Sequence, residues 1–307
     1  MNSLPVGVPG RLVEVGSRAV RIIESGGGSG PLIVFDAGAG ASADSWWAVL
    51  RTLPPEVRWL AYDRPGLTFT SSDPAADDRR PSTIARDLAA LLDALGETGK
   101  VILVGHSRGG LHVRVFAALY PERVAGLVLV DPSHERMLDT SADNPDRAVS
   151  RTQQLPMAIA SGVLLVAEKA PWTGLRSVWL KQLLTPKIVG ALGMTAGHES
   201  AMRQAYRSDA ATRATRLELT RLGPTLAETA RLASDPTVPI TVLSGSPQAQ
   251  EGMSRRVRDL INRLHAELWR APGTHQILER TGHMIPMDRP DAVVDATMAM
   301  RRIVSTG

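Results

Sequence analysis

The sequence predicts an α/β fold, in which a mostly parallel central sheet is flanked by helices. Short β-branched runs alternate along the chain with longer amphipathic stretches, as in proteins built from strand-helix units. The run 32–35 is apolar throughout, which is typical of a strand buried on both faces. With 307 residues and 43% apolar composition, the chain is long enough to form one large core.

The N-terminal part of the chain predicts four strands and one helix. Gly16 permits a tight turn between the first two strands. A loop of small residues, 36–41, follows the third strand, and a helix near 45–53 ends at Pro54, which cannot continue it. The strands predicted here are 11–15, 20–24, 32–35 and 57–62.

The next part of the chain predicts two helices and two strands. The first helix has an apolar stripe and ends at Gly96. The stripe consists of Ile84, Leu88, Leu91, Leu92 and Leu95. A strand at 101–104 leads through a glycine-rich turn into a second helix, which stops before Pro121, and a strand at 127–130 follows.

A helical insertion is predicted between the two parts of the sheet. Residues 134–234 contain amphipathic helical pieces and no convincing strand, whereas strand patterns resume at 240–243 and 276–279. Helices are expected at about 254–269 and after Pro290. We therefore expect an α/β core of residues 1–133 and 235–307, interrupted by a helical cap, 134–234.

Charge and cysteine content exclude several classes of function. The 35 Lys and Arg exceed the 31 Asp and Glu by only four, without a long basic run, so a nucleic-acid partner is not expected. The absence of cysteine excludes disulfides, thiol catalysis and cysteine-based metal sites. We expect a small-molecule substrate as partner, and the oligomeric state stays open.

No targeting or membrane-spanning segment is apparent in the sequence. The first residues lack the basic start and apolar stretch of a secretory signal, so a cytoplasmic location is the default expectation. The longest apolar run, 157–167, is much shorter than the roughly 20 residues that a spanning helix requires. No membrane span is expected.

A serine lies at the turn between the strand 101–104 and the helix that follows it. The turn reads Gly105-His106-Ser107-Arg108-Gly109-Gly110, a Gly-x-Ser-x-Gly pattern. A sharp strand-to-helix reversal strains the serine backbone, and side chains two residues away on either side would collide. This pattern indicates a nucleophilic serine that projects above the sheet edge.

The turn resembles the nucleophile elbow of the α/β-hydrolase fold superfamily. Asp36-Ala37-Gly38-Ala39-Gly40 resembles the family's oxyanion loop, with Ala37-Gly38 where a His-Gly pair is common. Thr281-Gly282-His283 follows the last strand, as the family's histidine does. Asp63-Arg64-Pro65-Gly66 resembles the family's Asp-x-Pro-Gly loop, although the glycine and serine that often follow it are replaced. The resemblance extends over nearly the whole chain and implies this fold.

His283 and Asp131 are the candidates to activate Ser107. A serine hydroxyl needs a base, and of the seven histidines His283 alone follows the last strand in a Gly-His turn. Asp131 ends the strand after the elbow helix, an alternative acid position in parts of the superfamily. The usual acid position, after 238–243, has no carboxylate before Glu251, so Asp131 is preferred and Glu251 is the alternative.

The predicted oxyanion hole uses two backbone amides. One is the N–H of Arg108, directly after the nucleophile, and the other comes from the loop after the third strand, at Ala39. Backbone donors tolerate side-chain change, so Arg108→Ala is expected to retain much of the activity toward a neutral substrate. The Arg108 side chain itself is expected to pair with a surface carboxylate.

The cap supplies the candidates for substrate binding. Trp172, Trp179 and Tyr206, together with Met194 and Met202, are candidates for its inner surface, which favours an apolar acyl or alcohol group. Residues at such spacing also form internal packing. No metal is expected, because the His-Glu pairs at 134–135 and 198–199 lack ligand spacing. No cofactor is expected either, because no glycine motif opens a helix in the way that phosphate binding requires.

The resemblance implies a serine hydrolase. It would cleave a carboxylic ester, or a thioester, lactone or amide, through an acyl-enzyme. The alternatives are a non-hydrolytic enzyme of the same fold (an acyltransferase, lyase, perhydrolase or cofactor-independent oxygenase) and a ligand-binding receptor without turnover. The usual epoxide hydrolases and haloalkane dehalogenases are disfavoured, because they have a carboxylate where Ser107 stands.

Overall fold

The computed structural model describes residues 3–25, 27–71, 77–142, 146–150, 193–233, 236–248 and 255–306. Within these ranges, one sheet of eight strands forms the centre of the protein, in the order β1-β2-β4-β3-β5-β6-β7-β8. β1 and β2 pair antiparallel, β2 pairs antiparallel with β4, and all other pairs are parallel. The strands are β1 (Arg11–Val15), β2 (Arg18–Glu24), β3 (Ser29–Asp36), β4 (Val57–Tyr62), β5 (Val101–His106), β6 (Val124–Val130), β7 (Ile240–Gly245) and β8 (His275–Leu278).

The predicted fold class, a mostly parallel sheet flanked by helices, is confirmed. Each predicted strand is present, and most are longer than predicted. β5 continues through Gly105 and His106 because these two residues pair with Leu129 and Val130 of β6. The glycine that the sequence assigns to the turn is therefore the last but one residue of the strand.

Two differences between the observed and the predicted helices lie near prolines. The helix predicted at 45–53 is a 3₁₀ turn over 43–46 followed by a single α-turn, and a short helix, Ile285–Asp288, was not predicted. The helices are α1 (Trp47–Leu50), α2 (Pro81–Ala94), α3 (Arg108–Leu119), α4 (Ala196–Tyr206), α5 (Asp209–Thr220), α6 (Leu222–Leu232), α7 (Arg255–Ala266), α8 (Ile285–Asp288) and α9 (Pro290–Ser305).

The core lies in two apolar layers, one on each face of the sheet, because successive strand side chains point to opposite faces. On one face, α2 and α3 pack against Val34, Leu103 and Leu129. On the other face, α1 and α9 pack against Phe35 and Val104. The central strands are covered on both sides, which explains their uninterrupted apolar sequences.

The parallel strands place several loops at one edge of the sheet. The carboxyl ends of β3, β5, β6, β7 and β8 meet there, as expected for a ligand site in an α/β protein. Helices α4, α5 and α6 follow β6 in the chain and precede β7, and α6 contacts both α2 and α3. No helix in the described ranges is long and apolar enough to cross a membrane.

Candidate active site

Ser107 occupies the turn between β5 and α3 with a strained backbone. Its φ of 52° and ψ of −119° lie outside the regions that side-chain-bearing residues normally adopt. A Cβ at Gly105 would lie 2.7 Å from the Gly109 carbonyl oxygen, and one at Gly109 would lie 2.3 Å from the Asp36 carbonyl oxygen. Glycine is therefore required at both positions, because the turn closes tightly on itself at Gly105 and packs against the end of β3 at Gly109.

Ser107, His283 and Asp131 form a continuous chain of hydrogen bonds. The Ser107 Oγ lies 3.0 Å from Nε2 of His283, and Nδ1 of the same ring lies 2.6 Å from Oδ2 of Asp131. An ionised carboxylate can only accept, so the ring donates from Nδ1, and its Nε2 carries the lone pair that can accept the serine proton. The structure thus brings together the three residues that the sequence proposes as nucleophile, base and acid.

Asp131 is held in its ionised form. Burial alone would raise the pKa of this carboxyl, but the hydrogen bond from His283 and the positive charges around it hold the pKa below its usual range. Oδ1 also accepts from the Gly245 N–H at 2.9 Å and from Arg258 at 2.7 Å. The alternative acid, Glu251, lies outside the described residues.

The two residues predicted to supply oxyanion donors, Ala39 and Arg108, both line the cavity beside Ser107. The N–H of Arg108 belongs to the first turn of α3, which has no acceptor inside the helix and carries the positive end of the helix dipole. In the loop after β3, Gly40 donates its N–H to Oε2 of Glu218 at 2.7 Å. Ala39 lines the cavity at Ser107, and its N–H has no acceptor in the described chain. Both predicted donors thus lie beside the nucleophile, and their role in an oxyanion hole stays a prediction.

Arg64 fixes the loop that carries Ala39, a role that the sequence did not reveal. It donates to the Ala37 carbonyl at 2.8 Å and to the Gly38 carbonyl at 2.6 Å. It also pairs with Asp36 at 2.6 Å and with Glu218 of α5 at 2.8 Å. All three charged side chains are buried, so the loop is held by a fully desolvated ion-pair cluster.

Replacing Arg64 with methionine should therefore destabilise the protein strongly. The substitution leaves buried Asp36 without its arginine and Glu218 with only the more distant Arg79, at 3.7 Å, a change that costs about 3–5 kcal/mol of unfolding free energy. Urea denaturation measures this loss of unfolding free energy, and Arg203→Met is the matched control. Arg203 forms an exposed pair with Glu199 one helical turn away, and its loss should cost below about 0.5 kcal/mol. Equal losses in the two variants would contradict this role for Arg64.

The Arg108 side chain is buried, and the expectation of a surface ion pair is wrong. Its guanidinium donates to the backbone carbonyls of Glu218 and Arg79 at 2.7 and 2.8 Å, and to Oγ1 of Thr225 at 2.6 Å. These contacts connect the elbow to α5 and α6. Sequence could not reveal this, because the partners lie 29 to 117 residues away in the chain.

An apolar cavity of about 220 Å³ opens beside Ser107 and His283. Its described polar lining includes Ser133, His134 and Glu218, whose carboxylate is paired with Arg64. Its apolar walls are formed by Pro132, Met137, Leu219, Leu222 and Ile261. The cavity adjoins both predicted oxyanion donors.

Of the aromatic residues predicted to bind substrate, Trp172 and Trp179 lie outside the described residues. Tyr206 is buried in α4, where its hydroxyl donates to Oγ of Ser42 and accepts from the Ser42 N–H, both at 2.8 Å. It packs with Met202, Met194 and Phe69. The structure places Tyr206 in the packing of α4 against the loop after β3, and not in the described lining of the cavity.

Two further histidines are buried close to this site. His106 lies against the His283 ring, with 4.8 Å between ring centroids, and its Nε2 lies 2.9 Å from the His283 carbonyl oxygen. His265 lies between the Pro132 carbonyl and Oγ of Ser244, 2.7 Å from each. Burial lowers the pKa of His106 to about 3 and that of His265 to about 4. Both rings are therefore neutral in the folded protein near pH 7.

We expect acid to destabilise the fold through these rings. Their pKa is near 6.5 in the unfolded chain and lower in the folded protein, so below pH 6.5 the unfolded state binds more protons. Between pH 7 and pH 5 each ring should remove about 2 kcal/mol of unfolding free energy. Urea denaturation at several pH values across this range measures the unfolding free energy. In His265→Asn this free energy should fall less steeply with decreasing pH. A free energy that does not change between pH 7 and pH 5 would contradict the prediction.

The described residues contain no group of three or more His, Cys, Asp or Glu side chains arranged to hold a metal ion. The two His-Glu pairs noted in the sequence have other partners. His198 contacts Asp44 at 2.7 Å, and Glu135 forms a two-point ion pair with Arg114.

Comparison with known proteins places this chain in a family. The family described as "Alpha/beta hydrolase family" matches residues 33–296. A curated relative, 2-hydroxy-6-oxo-2,4-heptadienoate hydrolase of Pseudomonas putida, is 37% identical over 125 residues, which cover 39% of this chain and 44% of the relative. The matches span less than half the length of the curated relatives.

Solved structures agree in fold over nearly the whole chain. The epoxide hydrolase CorEH superposes with a TM-score of 0.70 at 16% identity, covering 96% of this chain and 99% of that one. An esterase from Thermogutta terrifontis superposes with a TM-score of 0.62 at 21% identity, covering 97% and 99%. At these identities the likeness establishes the fold alone.

Proposed function

Because this chain belongs to the alpha/beta hydrolase family, we propose that it is a serine hydrolase. Its substrate would be a carboxylic ester, or a related thioester, lactone or amide, of a largely apolar small molecule. The observation that carries the proposal is the hydrogen-bonded chain from Ser107 through His283 to Asp131. It combines a strained nucleophile position, a base in the required tautomer and an ionised acid.

The proposed reaction begins with attack of Ser107 Oγ on the ester carbonyl carbon. His283 Nε2 accepts the serine proton, and the oxyanion accepts hydrogen bonds from the Ala39 and Arg108 amides. Collapse of this intermediate breaks the bond to the alcohol, which leaves with the proton from His283. Water then attacks the acyl-enzyme by the same route and releases the carboxylic acid and free Ser107.

Asp131 would stabilise the imidazolium that forms in each of these steps. Its carboxylate also fixes the ring orientation through the 2.6 Å contact with Nδ1. The short Ser107–His283 distance supports hydrolysis over a receptor role, because a binding protein has no need of an activated nucleophile. A carboxylate nucleophile, as the usual epoxide hydrolases have, is absent at position 107.

The lining of the cavity favours a substrate with an uncharged, apolar group. Five apolar side chains line it beside the nucleophile, so burial of hydrocarbon contributes roughly 25 cal/mol per Å² to binding. The Glu218 carboxylate in the same lining is paired with Arg64. Because Arg64 neutralises this carboxylate, the described lining offers no unpaired charge from Glu218 to a charged substrate group.

We further propose that residues 134–234 form the cap over this site and that residues 1–133 and 235–307 form the core. Glu218, Leu219 and Leu222 support the assignment, because these residues of α5 and α6 line the cavity at Ser107. Trp172 and Trp179 stay candidates for the remaining inner surface of the cap.

Labelling with a fluorophosphonate probe tests the proposal. The probe phosphonylates an activated serine and releases fluoride, so wild-type protein should be labelled and Ser107→Ala should not. Ser133→Ala is the matched control, because Ser133 lies in the same cavity and donates its N–H to the Ser107 carbonyl at 2.9 Å. It should label like wild type. Folded wild-type protein that hydrolyses p-nitrophenyl esters without being labelled would overturn the proposal.

A further inference from the structure

Arg258 contacts the carboxylate that we assign as the catalytic acid. One guanidinium nitrogen, Nη1, lies 2.7 Å from Oδ1 and 2.8 Å from Oδ2 of Asp131. The Arg258 side chain is only 4% exposed and projects from α7, which follows β7 in the chain. A buried cation is thus in direct contact with the residue that orients the proposed base, His283.

The end of β7 also contacts this carboxylate. The Gly245 N–H donates to Oδ1 of Asp131 at 2.9 Å, and Asn262 of α7 donates to the Gly245 carbonyl at 3.0 Å. The Asp131 carboxylate therefore has donors on both oxygens from β7, α7 and His283. In the described chain, Arg258 is the one permanent cation among these donors.

A cation in this position has two physical consequences. It fixes the carboxylate, because two hydrogen bonds from one nitrogen allow little rotation of the Asp131 side chain. The Arg258 cation also offsets part of the negative charge of the Asp131 carboxylate. This carboxylate therefore stabilises a protonated His283 less than an unpaired aspartate would. The first effect favours a productive geometry, and the second favours the neutral, base-competent ring.

We propose that Arg258 is a positioning residue that holds Asp131 against His283 and extends the action of His283 as a base to lower pH. The inference rests on the proposed function, because it needs Ser107, His283 and Asp131 to act as a triad. It concerns a residue that does not line the described cavity, so substrate binding should not depend on it.

Other titratable and charged groups also surround the Asp131–His283 pair. They are His106 at the end of β5, His134 after β6, Glu218 of α5, His265 and Arg258 of α7, and His275 of β8, which reaches His265 through Ser244. Burial holds the pKa of His106, His134 and His265 at about 3, 3 and 4, and lowers that of His275. Burial would raise the pKa of Glu218, but Arg64 holds it below its usual range. His106, His134 and His265 are therefore neutral between pH 5 and pH 8, and their charge does not change across this range.

The test is the pH dependence of kcat in Arg258→Met and Arg258→Lys, measured with a p-nitrophenyl ester. In Arg258→Met the acid limb of the profile should move up by about one pH unit, because the unshared carboxylate now stabilises the protonated ring. The plateau value of kcat should fall about tenfold with the loss of positioning, while KM stays unchanged. Arg258→Lys keeps the charge and should return the acid limb toward wild type.

Arg263→Met is the control, since Arg263 lies on the same helix in an exposed pair with Asp146. Its profile should match wild type. A variant Arg258→Met that folds and keeps the wild-type acid limb would overturn the inference. So would failure of both Arg258→Met and Arg258→Gln to fold, because Arg258 would then be a structural residue only. Wild-type protein that resists the fluorophosphonate probe would instead overturn the proposed function.

Discussion

Ser107→Ala is expected to lower kcat for a p-nitrophenyl ester by about 10⁴-fold or more. The substitution removes the atom that forms the acyl-enzyme, while the oxyanion amides and the cavity stay in place. Residual turnover would then come from water attacking the bound ester directly. The comparison is made at saturating substrate, so that the change in kcat reports on chemistry rather than on binding.

The chain offers a second variant that separates loss of chemistry from loss of structure. Because it has no cysteine, Ser107→Cys introduces a single thiol at the elbow. Its pKa should fall below the usual 8.5 beside His283 and the N-terminus of α3, which a pH titration with a disulfide reagent measures. Ser107→Ala with activity above one hundredth of wild type would contradict the nucleophile assignment.

Asp131→Asn should reduce kcat by about 10⁴-fold. An asparagine amide donates to His283 Nδ1 and stabilises the tautomer that carries its proton on Nε2, where it cannot accept from Ser107. The same substitution leaves the buried Arg258 without its carboxylate, so the unfolding free energy should also fall by roughly 3–5 kcal/mol. Steady-state kinetics and urea denaturation measure the two effects.

Asp93→Asn serves as the control for removal of a carboxylate. Asp93 pairs with Arg123 at the surface and is 69% exposed, so its loss should change neither kcat nor stability appreciably. If Asp131→Asn keeps wild-type turnover and Glu251→Gln loses it, the acid assignment is wrong and Glu251 takes its place.

The fold was predictable because the sequence patterns that indicate its strands and turns are local. The apolar run at 32–35 and the glycine-flanked serine turn identify a buried strand and a strand-to-helix reversal without reference to the rest of the chain. The short helix Ile285–Asp288 gave no such signal, since four residues around a proline contain too little pattern. Strand ends were also underestimated, because pairing with a neighbouring strand extends β5 beyond its apolar run.

The site was predictable only in part. Ser107, Asp131 and His283 follow the ends of strands, and strand ends converge at one edge of a parallel sheet. Arg64 and Arg258 contact partners 154 and 127 residues away, and a single sequence does not reveal pairs at such separations. The net charge gave no sign of these contacts, because several arginines are buried in ion pairs or hydrogen bonds. Those fully buried in the core are Arg21, Arg64, Arg79 and Arg108.

Trapping the acyl-enzyme tests the central claim, that Ser107 is the covalent nucleophile, most directly. Wild-type protein is mixed with a p-nitrophenyl ester, quenched in acid within the first turnover and analysed by peptide mass spectrometry. The peptide that contains Ser107 should carry the mass of the acyl group, and the peptide that contains Ser133 should not. Turnover with no acyl adduct at Ser107, or with the adduct on another residue, would contradict the claim.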